Sequence, residues 1–171
     1  MRYFTKELWS GAQEVDDSDE NDRLWKLASE TYISQLESFK DRLEDDVYSF
    51  FREARIHDGQ LDTFSVSDGN HADYRSDPPI LNPHPVSVSS TIRSSDGTTT
   101  WVLNYSKIKC ISLDFPSSEP LFHSDGEGFN DIGYHELTDL GQGFYRHEIL
   151  FSSGSTILVE FQHISVTSRS A

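Results

Sequence analysis

Residues 144–166 read FYRHEILFSSGSTILVEFQHISV. Tyr145, His147, Ile149 and Phe151 alternate onto one face, Ser152-Ser153-Gly154 supplies a tight turn, and Ile157, Val159 and Phe161 return on the same side. A period of two on both sides of a turn predicts an antiparallel hairpin with one buried face. After Phe161 the apolar phase slips to Ile164 and Val166, which predicts a bulge near Gln162-His163.

The same alternation extends upstream. Ile132–Leu140 forms a further strand of a meander, Ile108–Phe115 alternates Ile111, Leu113 and Phe115 against Cys110, Ser112 and Asp114, and Thr98–Tyr105 places Trp101, Leu103 and Tyr105 together. Ser95-Asp96-Gly97 joins that last strand to Val86, Val88, Ser90 and Ile92 as a hairpin, and Leu61, Thr63 and Ser65 oppose Asp62, Phe64 and Val66. Two long irregular stretches interrupt the pattern, the proline-rich Ser67–Pro85 and the run Pro116–Asp131.

Toward the N-terminus the period changes. Trp25, Tyr32, Leu36, Phe39 and Leu43 recur three or four apart, then Val47, Phe50 and Phe51, with Asp41 and Asp45 available as caps. This predicts two amphipathic helices with a break near residues 41 to 45. The opening Met1–Thr5 reads as a short strand or docked arm anchored by Tyr3, Phe4 and Trp9. The expected fold is therefore α+β, one domain over residues 1–171. A helical part, 1–55, would pack its amphipathic helices on a β-rich part, 56–171, whose mostly antiparallel, curved sheet of six or seven strands could close into a partial barrel.

Charge narrows the function. The chain carries 29 acidic against 14 basic residues, a formal net charge of -15, with no basic run to balance it. Such a field repels phosphate backbones and anionic membranes, so neither nucleic acid nor membrane is expected as a partner. It attracts a basic protein. No apolar run approaches the ~18 residues of a membrane span. The opening lacks the uninterrupted apolar stretch of a signal peptide, and the single cysteine, Cys110, cannot form an intramolecular disulfide. A cytoplasmic protein is expected.

Catalytic signatures are missing. There is no G-x-S-x-G elbow, no Walker loop and no H-E-x-x-H or C-x-x-C spacing, so no catalytic residue, metal ligand or cofactor is assigned and a non-enzymatic role is expected. His57-Asp58-Gly59 marks the junction of the helical and β-rich parts, where His57 could be a base or metal ligand, or could cap the preceding helix while Asp58-Gly59 turns the chain. His71, His84 and His123, with Asp68, Asp77 and Asp125, fall in or beside the two long loops. His147 sits among apolar neighbours, the pattern of a satisfied core histidine. Cys110 has only Lys107 and Lys109 as basic neighbours in sequence and is a poor nucleophile.

The opening Met1-Arg2-Tyr3-Phe4-Thr5-Lys6-Glu7-Leu8-Trp9, the His57-Asp58-Gly59 junction and the closing His147–Gly154 before Ile157–Phe161 resemble a family of uncharacterised bacterial proteins beginning M-[KR]-Y-F-T. The resemblance implies a small cytoplasmic bacterial protein. The acidic, motif-poor profile is also similar, as a class, to the immunity proteins of bacterial toxin systems. The leading expectation is a binding protein that neutralises or sequesters a basic partner such as a toxin or nuclease domain. Glu14, Asp16, Asp17, Asp19, Glu20 and Asp22, with Asp45 and Asp46, would steer the partner, and Trp9, Tyr74 and Phe129 would anchor it. One alternative is a small-ligand, metal-binding or enzymatic domain with a pocket under the 67–85 and 116–131 loops. Another is a stand-alone acidic protein.

Overall fold

The computed structural model describes residues 1–11, 18–69, 84–115 and 128–170. Among the described residues three α-helices come first: α1 (Lys6–Gly11), α2 (Ser18–Glu37) and α3 (Asp45–Glu53), with a 3-10 turn at Lys40–Arg42 between the last two. Eight strands follow among the same residues: β1 (Gln60–Asp68), β2 (Val86–Arg93), β3 (Thr99–Ser106), β4 (Cys110–Asp114), β5 (Ile132–Gly141), β6 (Phe144–Phe151), β7 (Thr156–Phe161) and β8 (His163–Ser170).

The α+β class stands, but the single curved sheet is replaced by two. One sheet has the order β1-β2-β3-β8 and the other β4-β7-β6-β5, and every pairing is antiparallel. The phase slip after Phe161 is the cause. Instead of a bulge, the chain leaves one sheet at Phe161 and enters the other at His163, with Gln162 alone between them. Changing sheets reverses which alternate residues face inward, so the core switches from Ile157, Val159 and Phe161 to Val166. A second corner joins the sheets through backbone bonds: the Asp58 N–H donates to the Ile132 carbonyl at 2.8 Å, and the Ile132 N–H donates to that of Gly59 at 2.8 Å. No side chain fits at Gly59, because a Cβ there would lie 2.4 Å from the Arg93 carbonyl oxygen.

The core lies between the sheets. Val88, Ile92, Leu103 and Tyr105 meet Leu137, Ile149, Ile157, Val159 and Phe161, all at most 2 % exposed, and the Tyr105 and Phe161 rings stand 5.0 Å apart. α3 carries Phe50 and Phe51 into this layer, Phe50 against Trp101 and Phe51 edge-on to His147. The break before α3 lies slightly earlier than its caps suggest, since α2 already ends at Glu37.

α2 covers the free edge of β5. Its Tyr32 hydroxyl accepts the Leu137 N–H at 3.3 Å, and the Gln35 amide, turned to donate, reaches the Leu137 carbonyl at 3.3 Å. An edge strand capped in this way cannot template another strand at that position. The first residues form the expected docked arm. The Glu136 carboxylate, 0 % exposed, accepts backbone N–H bonds from Arg2, from Tyr3 at 2.9 Å and from Phe4 at 3.2 Å, while the Met1 ammonium meets Glu148 at 2.8 Å. Among the described residues no helix is long and apolar enough to cross a membrane.

Candidate functional site

The acidic residues expected to steer a partner fall into two groups. Asp19, Glu20 and Asp22 occupy the first turns of α2 and Asp45 and Asp46 the first turn of α3, all exposed, where carboxylates also favour the positive end of the helix dipole. They do not form one patch. Tyr48 and Arg52 of α3 contact Glu37 in the last turn of α2, so roughly the length of α2, ~30 Å, separates the groups. Glu20 is partly neutralised by Arg23, which bonds it at 2.5 and 2.7 Å. Glu14, Asp16 and Asp17 lie outside the described residues.

The aromatic anchors fare differently. Trp9 is buried at 5 % exposure, with its indole lying where a Cβ on Gly133 would be, so its place is inside the fold and it offers a partner no surface. Phe129 is half-buried, its ring 4.6 Å from Phe151 and 4.9 Å from Phe115. Tyr74 lies outside the described residues. Among the described residues the exposed large apolar ones are instead Leu24, Leu27, Val66, Leu113 and Phe115, and Leu27 is 53 % exposed on the same helix as Asp19, Glu20 and Asp22. Their spacing at i and i+3 on a helix otherwise read for its buried stripe was the available signal.

A second candidate site is a cleft of about 540 Å³ between α2, α3 and β5. Its chemistry centres on the junction at residues 57–59. The helix before it ends at Glu53, four residues short of His57, so His57 does not cap it. Instead the imidazole is held at both nitrogens, Nδ1 lying 3.0 Å from the Asp58 carboxylate and Nε2 3.1 Å from the Tyr134 hydroxyl. Asp58 stands in the left-handed region at φ 58, which aspartate tolerates better than most residues, and its backbone tie to Ile132 sets the imidazole's position. Burial raises the Tyr134 pKa, and the nearby Asp58 charge adds to the effect, so the phenol keeps its proton. The partnership spans 77 positions, and no local pattern announces it.

His135 also lines the cleft and begins a chain of polar groups into the core. Its Nδ1 lies 3.4 Å from His147 Nε2, and His147 Nδ1 lies 2.7 Å from the Tyr105 hydroxyl. His147, 1 % exposed, is thus the satisfied core histidine its neighbours imply. Burial pulls the His135 pKa down to about 4 and pushes that of His147 well below its ordinary value, with the neighbouring His135 as a smaller contribution. Both rings are neutral near pH 7. Glu160 faces elsewhere, bonded by Arg146 at 2.6 Å with Lys109 at 3.4 Å. Among the described residues no group of three His, Cys, Asp or Glu side chains is placed to hold a metal ion, and His71, His123, Asp77 and Asp125 lie outside them.

No protein-family model, curated protein or solved structure matches the chain.

Proposed function

We propose that this protein is an acidic binding module that sequesters a basic protein partner, in the manner of an immunity protein. The observation that carries this reading is on α2, where Asp19, Glu20 and Asp22 lead into the exposed Leu24 and Leu27. Carboxylates beside uncovered leucines combine long-range attraction for a cationic surface with apolar area to bury once it arrives. The net charge of -15 extends that attraction to the whole molecule. Asp45 and Asp46 on α3 act as a second acidic point, which favours a partner wide enough to touch both ends of α2.

The test is a tagged capture from host lysate at low and moderate salt, run beside a variant carrying Asp19→Lys, Asp22→Lys and Leu27→Ser. Recovery of one basic protein in near-stoichiometric amount, weakened by salt and lost in the variant, is the expected result. Equal recovery by both proteins, or an empty capture at both salts, refutes the reading.

A further inference from the structure

We propose that the cleft between α2, α3 and β5 binds a small organic monoanion, a carboxylate carried on a flat apolar body. The inference does not depend on the acidic faces of α2 and α3. It begins from size and lining. At about 540 Å³ the cleft falls within the roughly 300–1,000 Å³ typical of small-molecule sites, and Phe4, Tyr32, Phe51 and Tyr134 line it with aromatic surface. Such a lining suits a flat apolar body.

The charge of the lining is the reverse of the molecule's. On a chain with 29 acidic and 14 basic residues, this cleft presents two arginines, Arg52 and Arg55, against a single carboxylate, Asp58. Asp58 is already engaged by His57 Nδ1 at 3.0 Å. Arg52 is only loosely neutralised, its Nε 3.9 Å from Glu37. Arg55, exposed at the rim, carries no ion pair among the described residues. An unneutralised guanidinium beside aromatic surface offers a planar fork of donors that matches a carboxylate. The net negative charge of the chain disfavours a carboxylate ligand in general, and the two arginines give this cleft the opposite local charge.

A polar group behind the rim fits the same ligand. The Tyr134 hydroxyl, 3.1 Å from His57 Nε2, lines the cleft and is a donor that an arriving carboxylate oxygen can accept from.

Naphthoate and its uncharged counterpart naphthamide, titrated separately into the full chain and followed by protein NMR, test the proposal. Naphthoate is expected to shift the His57 and Tyr134 signals saturably and to bind at least about tenfold more tightly than naphthamide. Arg55→Gln should abolish that preference while leaving the thermal midpoint unchanged, because among the described residues the exposed Arg55 side chain makes no hydrogen bond or ion pair. Equal affinity for the two probes, absence of a saturable shift at His57 and Tyr134 with millimolar naphthoate, or an Arg55→Gln variant that still prefers the anion overturns it.

Discussion

At the residue scale, two residues on β5 hold the N-terminal arm, and each does so in a different way. Gly133 leaves the space that the Trp9 indole fills, with ring carbons 2.1 and 2.2 Å from where a Cβ would sit. Gly133→Ala therefore must push a buried indole off the sheet, and about 2–3 kcal/mol of stability should go with it, read as a thermal midpoint roughly 5–10 °C lower. An unchanged midpoint would show that Trp9 repacks at no cost. Glu136 works through charge, since one buried carboxylate satisfies three successive backbone donors. Neither role is legible in the sequence. Gly133 and Glu136 sit inside a stretch that reads as an ordinary strand, and their partners lie more than 120 positions away, beyond any periodicity. Trp9 itself was legible as an anchor of the arm and misread as an anchor for a partner, because an aromatic near a terminus looks the same in both roles.

At the element scale, helices and strands follow the apolar periods closely, and the errors gather where one element ends and another begins. α2, α3 and β6 declare themselves because a buried stripe at three-to-four spacing, or an alternating face, is a local property. The step from β7 to β8 shows the limit. A slipped phase can mean a bulge within one sheet or passage into another, and only the presence of β3 beside His163–Ser170 decides between them. The cover of α2 over β5 is likewise a tertiary fact, made by the Tyr32 hydroxyl at the Leu137 N–H. Tyr32→Phe should cost on the order of 1 kcal/mol and speed hydrogen exchange at Leu137 selectively. Exchange there at the wild-type rate would mean that the edge is guarded by packing alone.

At the scale of the whole molecule, the charge and the linked pair His135 and His147 predict opposite responses to acid. His135 is held neutral, its pKa down at about 4 from an ordinary 6.5, and His147 is shifted in the same direction. Below pH 6.5 the unfolded chain takes up protons that the folded core refuses, so stability falls as pH drops toward 4, by on the order of 2 kcal/mol from His135 alone. Protonation of carboxylates relieves the self-repulsion of the net charge of -15, but that relief begins nearer pH 5. Denaturant midpoints should therefore decline between pH 6.5 and 5, and His135→Gln should flatten the decline. A wild-type midpoint that holds steady over that window would show that the two rings accept protons in place. By itself the sequence determined the α+β class, most of the elements, the docked arm and the sign of the field, because periodicity, turn residues and net charge are properties of the chain alone. Only the tertiary structure decided that there are two sheets, that Trp9 is buried, and that His57 meets Tyr134 above a cleft rimmed by arginines. Those outcomes depend on which distant surfaces bury one another, a choice that no local stretch of the chain encodes.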